Sequence, residues 1–421
     1  MSFCRFAELV LLGLLAGAPA GAAEVLTLAR VRQLALADQP QLTGQSAAVR
    51  AAREQAVADG QLPDPRLKLG LANLPVEGFA LNREPMTQTM IAVEQMLPGG
   101  NKRALRAARS SAEADQLGAE LAARQRQIVR DASLAFVSLR GAQRQLALAR
   151  RLSRESAIQV ESLAPSLRAG RSGQADYFAA RTMVTMAHHR EVELAALTGR
   201  ARAELSRWIG AAANAATPHD DNGMAPGAPR PLAELLAAID DHPEHAMSAR
   251  TVGVADADVA LAREATRPDK SIEIGYGRRS RAFGDMVSIQ FSMDLPLFPR
   301  DRQDRGVAAR LAQRERAIAI REDHLRVMGA EIAAAWSDWQ GAAERLRLVI
   351  AEHVPDARAR VDSALAAYRG GRGEMAAVIQ ARRDELEAQL LQVEIETQMA
   401  RDRVRLAYYD FAGDELAGEA P

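Results

Sequence analysis

Apolar residues recur along two long stretches of this chain at alternating spacings of three and four. Ile128, Ala132, Ala135, Leu139, Ala142, Leu146 and Ala149 form the first series; Ile332, Trp336, Trp339, Ala343, Leu346 and Ile350 form the second. This is the seam of helices wound around neighbours, and mixing Leu with Ala lets the backbones approach closely. No proline lies between Pro98 and Pro165 or between Pro299 and Pro355, so both intervals are expected to be helical almost throughout. At a rise of 1.5 Å per residue the first would be on the order of 100 Å long. Gly141 and Gly341 fall at matching places in the two helices, a cost of about 1 kcal/mol each against Ala unless close packing uses them. Each long stretch ends in a glycine-rich reversal, Ala169-Gly170-Arg171-Ser172-Gly173 and Arg369-Gly370-Gly371-Arg372-Gly373. Glycine there supplies the left-handed cap that lets the chain turn back into a second long helix.

Period-two patterning appears only in four short segments at the other ends of these hairpins. Leu67, Leu69 and Leu71 alternate with Arg66, Lys68 and Gly70; Ile272, Ile274 and Tyr276 with Ser271, Glu273 and Gly275; Val287, Ile289, Phe291, Met293 and Leu295 with Ser288, Gln290, Ser292 and Asp294. The fourth segment, Thr87 to Leu97, alternates poorly, with Glu94 beside Val93. Strands apolar on one face and polar on the other fit a membrane barrel with a wet lumen, and fit a two-layer soluble sheet equally well. In a membrane, four strands could not close a barrel, and open edges in lipid would cost several kcal/mol per unpaired backbone group. Other copies would have to complete it, three chains giving twelve strands.

The elements occur twice in the same order. Gln39-Pro40 is answered by His242-Pro243, Pro63-Asp64 by Pro268-Asp269, Leu97-Pro98 by Leu295-Pro296, and Gly170-Arg171-Ser172 by Gly371-Arg372-Gly373. The expected organisation is a signal peptide over 1–23, a first repeat over 24–210, a linker over 211–231 rich in Ala, Pro and Gly, a second repeat over 232–413 and a tail over 414–421. Strands are expected near 66–73, 87–97, 270–278 and 286–295, and hairpin tips near 169–173 and 369–373. The fold class is mainly α with a small β part, built on duplicated long helical hairpins.

Composition narrows the function. Aromatic residues are 4% of the chain and formal net charge is zero, with 54 Lys and Arg against 54 Asp and Glu, so the arginines are solvated helix faces and not a nucleic-acid footprint. Arg5, the apolar run Leu9 to Leu15 and the small residues Ala18 to Ala23 read as a secretory signal, with cleavage expected after Ala22 or Ala23. Cys4 is the single cysteine and would leave with that segment, which excludes disulfides and thiolate metal sites from the exported chain. No later stretch approaches 18 uninterrupted apolar residues, so no membrane-spanning helix is expected.

In its duplicated organisation and in the tip segments Ala169 to Asp176 and Tyr368 to Gly373, the chain resembles the TolC family of outer-membrane efflux channels. The resemblance runs from about Leu26 to Gly413. Two stretches are similar to the heavy-metal branch, the cobalt–zinc–cadmium and copper type: Pro63-Asp64-Pro65-Arg66-Leu67 on to Asn73-Leu74-Pro75-Val76, and Arg267-Pro268-Asp269 through Asp294-Leu295-Pro296-Leu297-Phe298-Pro299 to Gln303-Asp304-Arg305. The resemblance implies a homotrimer with a twelve-stranded barrel in outer-membrane lipid, continued by a helical α-barrel through the periplasm. It implies tips, at Gly170, Arg171, Ser172, Gly173, Gly370, Gly371, Arg372 and Gly373, that dock a periplasmic adaptor and an inner-membrane pump of the resistance–nodulation–division type. The family's acidic ring past the second tip falls on Ala377 and Gln380, which are uncharged. In its place, Asp176 and Glu374 are the candidate charge ring, latched by Arg171, Arg369 or Arg372. The cargo reading is heavy-metal cations; drug efflux and type I protein secretion are the alternatives, with a periplasmic coiled-coil adaptor behind them.

Sharper chemistry finds no support in the sequence. His242-x-x-His245 reads as a pair of solvated residues at a helix start broken by Pro243; adjacent His188 and His189 point to different sides of a helix; Met183 and Met186 read as packing. No cofactor or metal site is expected, and no catalytic motif is present, so the chain is read as a non-enzyme. Trp336 and Trp339 are expected as packing anchors, and Tyr408, Tyr409 and Phe411 as the packing of the last helix.

Overall fold

The structure is a computed structural model that describes residues 26–168, 173–215 and 228–410. The expected signal peptide, Gly170, Arg171 and Ser172 of the first tip, most of the linker, Phe411 and the tail lie outside the described residues.

Each repeat opens with short helices, α1 (Leu28–Ala37) and α2 (Pro40–Asp59) in the first, α6 (Leu232–Ala237) and α7 (Pro243–Glu264) in the second. Proline stands in the first turn of α2 and of α7, where its missing N–H costs nothing. The strands follow: β1 (Arg66–Ala72), β2 (Gln88–Leu97), β3 (Lys270–Arg279) and β4 (Met286–Met293). They form one antiparallel sheet in the order β1-β2-β3-β4, so the two repeats each give a hairpin and the hairpins pair side by side. Gly99 and Asp269 hold the sheet to the helices. Asp269 Oδ1 accepts from the Gly99 N–H and from Lys102 Nζ, both at 2.8 Å, and a Cβ on Gly99 would lie 2.0 Å from the Pro268 carbonyl oxygen.

The hairpins make the long body. The first is α3 (Lys102–Arg168) returning as α4 (Gln174–Ile209), with a short α5 (Ala212–Ala215) behind it. The second rises through α8 (Gln303–Leu348), a π-helical turn (Val349–His353) and α9 (Val354–Arg369), and returns as α10 (Met375–Tyr409). α3 runs through Pro165 to Arg168, up to the expected reversal, because a proline this close to the end forfeits one hydrogen bond of the last turns. Its counterpart near the second tip, Pro355, sits in the first turn of α9 directly after the π turn. The π turn is a one-residue insertion. Up to its first residue, buried Met328, Ile332, Ala335, Ala342 and Val349 match buried Ile128, Ala132, Ala135, Ala142 and Ala149, an offset of 200; after it, buried Ala357 matches buried Ser156, an offset of 201.

All seven residues of the first apolar series are buried. The second series is displaced only in part, with Ile332 fully buried. Trp336 and Trp339 are partly buried packing anchors, whereas Ile350 is 50% exposed. The inward stripe runs through Ala335, Ala342 and Val349, one position before Trp336, Ala343 and Ile350, and the bulky indoles masked that register. α3 lies centrally, packed on α4 to one side and on α10 to the other, and α8 packs on α10. Gly141 earns its place at the α3–α10 crossing, where a Cβ would stand 2.3 Å from Thr397 Oγ1. Gly341 has nothing within 4 Å.

Candidate channel wall and hairpin tips

The sheet presents two unlike faces. On one, the pairing register lines up Leu67–Val93–Ile274–Ile289 and Leu69–Ile91–Tyr276–Val287. These residues are exposed, Leu69 at 71% and Ile289 at 76%, and the main packing of each strand is on its neighbouring strands. A soluble two-layer sheet needs a second layer over its apolar face, and none is present among the described residues. The apolar face is left uncovered by the described residues of this chain. The opposite face carries Lys68, Glu94, Glu273, Gln290, Ser271 and Ser292. Lys68 Nζ reaches Glu94 at 2.9 Å and Glu273 at 2.6 Å, tying β1, β2 and β3 across the space left by Ala92 and Gly275. The poor alternation of the second strand resolves here: Val93 belongs to the apolar row and Glu94 to the polar one.

Both hairpin ends meet at the far end of the body, where Leu163, Ala180, Met375 and Val378 form one buried cluster. The second tip is a Schellman cap. Arg372 N–H donates to Ala367 O at 2.9 Å, Gly371 N–H to Tyr368 O at 3.0 Å, and Gly371 has φ +67°. Gly373 passes so close to Ala367 that a Cβ would lie 3.0 Å from that side chain. In the first tip, Gly173 caps the start of α4. Asp176 lies in the first turn of α4 and Glu374 caps α10, so both carboxylates sit at helix N-termini, where the helix dipole favours negative charge. Glu374, Arg369 and Arg372 are exposed, and within the chain no ion pair among the described residues joins them to one another or to Asp176. Gln380 donates to Asp384 Oδ1 at 2.8 Å.

The sheet-side ends of the return helices hold a network that sequence reasoning missed. His242 and His245 are not solvated: they are 0% and 8% exposed. His242 caps α7, its Nδ1 accepting the Glu244 N–H at 3.3 Å and its Nε2 facing the Tyr408 carbonyl at 3.1 Å. Glu244 Oε1 accepts from Tyr408 Oη and from Gln127 Nε2, both at 2.6 Å. Arg130 lies 4.6 Å over the Tyr408 ring, Arg126 donates to the carbonyls of Tyr408 and Asp410 at the end of α10, and Tyr409 is bonded to Glu331. Burial holds the His242 imidazole down at about 4, so it is neutral near pH 7. Burial raises Glu244, but hydrogen bonds from Tyr408 and Gln127 outweigh it and leave the carboxyl below its ordinary value. The first repeat has the matching contact: Gln39 Nε2 donates to the Trp208 carbonyl at 2.7 Å. That paired position before a proline was the available signal. His245 Nδ1 meets the Asp240 carbonyl at 3.0 Å. Met183 is buried as expected, and Met186 is 45% exposed.

The family model described as outer membrane efflux protein matches residues 237–409. No curated protein matches the sequence. Among solved structures, a membrane protein from Pseudomonas aeruginosa superposes with TM-score 0.78 at 20% identity, covering 91% of this chain and 92% of that one. CusC, from a study of its folding and transmembrane channel formation, gives 0.77 at 15% identity with 91% of each chain covered. The outer membrane protein VceC from Vibrio cholerae gives 0.74 at 16% identity, covering 91% of this chain and 95% of that one. The likeness to the solved structures spans both repeats, beyond the residues that the family model matches. The chain therefore shares the fold of these membrane-channel structures along nearly its whole length.

Proposed function

We propose that this chain is an outer membrane efflux protein that works as a homotrimeric, passive exit duct of a tripartite efflux system, fed by an inner-membrane pump of the resistance–nodulation–division type through a periplasmic adaptor. The observation that carries this reading is the sheet: an uncovered apolar face and two free edges, β1 and β4. Lipid does not tolerate unpaired strand edges, and β4 of one copy pairing with β1 of the next removes both. The polar face with Lys68, Glu94 and Glu273 then lines the lumen, and the helical body extends away from the membrane to the tips that receive the adaptor.

The cargo on this reading is heavy-metal cations, supported by the resemblance of the Pro63 to Val76 and Arg267 to Arg305 stretches to the heavy-metal branch. Deleting the gene is expected to sensitise the cell to divalent transition metals more than to lipophilic drugs; the reverse order of sensitivity would assign drug cargo. At the tips, Asp176 and Glu374 form the charge ring, with the arginines Arg171, Arg369 and Arg372 as latch. Such exposed ion pairs are worth about 0–1 kcal/mol each, weak enough for an adaptor to open. In planar-bilayer recordings, Asp176→Asn with Glu374→Gln is expected to lower cation selectivity at unchanged open-channel number; unchanged selectivity removes the ring.

A further inference from the structure

The two arms of the first hairpin leave a basic groove along one flank. Between α3 and α4 lies an open cavity of about 650 Å³. Its floor is set by side chains that end early, Ala147 on α3 with Ala195 and Gly199 on α4. A Cβ on Gly199 would meet nothing within 4 Å. Its rim carries three guanidinium groups, Arg150 and Arg154 from α3 and Arg202 from α4. Spacings of three and four put residues 147, 150 and 154 on one helix face, and 195, 199 and 202 on another. The two faces meet across the gap.

The positive charge there is poorly compensated. Arg150 donates through Nε to Glu191 at 3.3 Å, and that carboxylate also lies 3.9 Å from His188. Arg154 and Arg202 make no ion pair among the described residues. The Nε of Arg202 is buried and meets no hydrogen-bond partner among them. Glu155, next to Arg154 in the chain, is engaged by Arg151. A buried N–H without an acceptor is destabilising, more so on a charged group. Hairpin packing does not demand this arrangement, because the second repeat lacks it. At the offsets of the repeat, Arg347, Pro355, Glu396 and Ala400 replace Ala147, Arg154, Ala195 and Gly199. Glu396 supplies a carboxylate there, bonded to Arg144 at 2.6 Å.

We propose that the α3–α4 groove binds a small multivalent anion, a phosphate or polycarboxylate, through Arg154 and Arg202 with Arg150 beside them. Guanidinium forks match pairs of charged oxygens, and such a group gives the Arg202 Nε its acceptor while tying α3 to α4. The site lies within one chain, so it stands apart from the channel reading above.

Isothermal titration of the detergent-extracted protein with pyrophosphate tests it, at low ionic strength where screening is weak. Saturation at one anion per chain is expected. Citrate is the second probe: binding of both assigns recognition to charged oxygens in general, and binding of one alone assigns the class. Arg154→Gln and Arg202→Gln are each expected to weaken binding by roughly tenfold or more. Gly199→Leu, which fills the floor, is expected to abolish it. Glu191→Gln releases Arg150 and is expected to tighten binding several-fold, a gain that misfolding cannot produce. Arg347→Gln, at the place of Ala147 in the second repeat, is expected to leave binding unchanged. Failure of both probes to bind, or binding that persists undiminished in Arg154→Gln and Arg202→Gln, overturns the site.

Discussion

Ile274→Arg and Ile289→Arg, made singly, are each expected to remove the protein from the outer membrane. The two side chains are cross-strand neighbours in the row Leu67–Val93–Ile274–Ile289, midway along their strands and facing outward, 57% and 76% exposed. A guanidinium at such a depth on the lipid face of a barrel costs about 2–4 kcal/mol. Three copies bring that to roughly 6–12 kcal/mol per assembled barrel, comparable with the whole stability of a typical domain. Gln290→Arg is the matched control. It lies one residue from Ile289 on the opposite face, paired with Glu273 in the register, and is expected to insert normally. Membrane fractionation reads the result. Normal insertion of both isoleucine variants would mean that this face does not meet lipid.

Acidification is expected to destabilise the protein between about pH 6.5 and 4 through His242. The imidazole is held neutral in the fold, at about 4 against an ordinary 6.5. Its Nδ1 already accepts the Glu244 N–H, which leaves no site for a second proton. The unfolded chain takes up a proton in that window and the folded chain does not, so stability falls as pH drops, by about 3 kcal/mol once pH reaches the folded value. Asp402 opposes this, because burial raises its carboxyl and acid relieves it. His242→Gln isolates the histidine, since Gln39 makes the equivalent contact to the Trp208 carbonyl in the first repeat. The variant is expected to keep the neutral-pH melting temperature within a few degrees and to flatten the decline. An equal decline in wild type and variant would place the acid sensitivity elsewhere.

Patterning that repeats every few residues was legible in the sequence, and single contacts were not. The four strands and the long helices follow from period two and heptads, the strands lying at Arg66–Ala72, Gln88–Leu97, Lys270–Arg279 and Met286–Met293. In the second apolar series Ile332 is buried and Trp336, Trp339, Ala343 and Leu346 pack against the core, but the large indoles hid that Ala335, Ala342 and Val349 carry the fully buried stripe and that Ile350 is exposed. The histidines at 242 and 245 read as solvated because local sequence shows only Pro243 and acidic neighbours. Their burial comes from α10, more than 160 positions away, through the Tyr408 carbonyl. The choice between lipid-facing and soluble sheet was open for the same reason: it depends on what covers the apolar face, and coverage is a property of the whole fold.

The central claim is that this chain is one part of a closed cylinder whose sheet is sealed by copies of itself. Native mass spectrometry of the detergent-extracted protein tests it most directly. The account predicts a complex of three chains, and a species that remains a single chain at membrane-like concentration would contradict it.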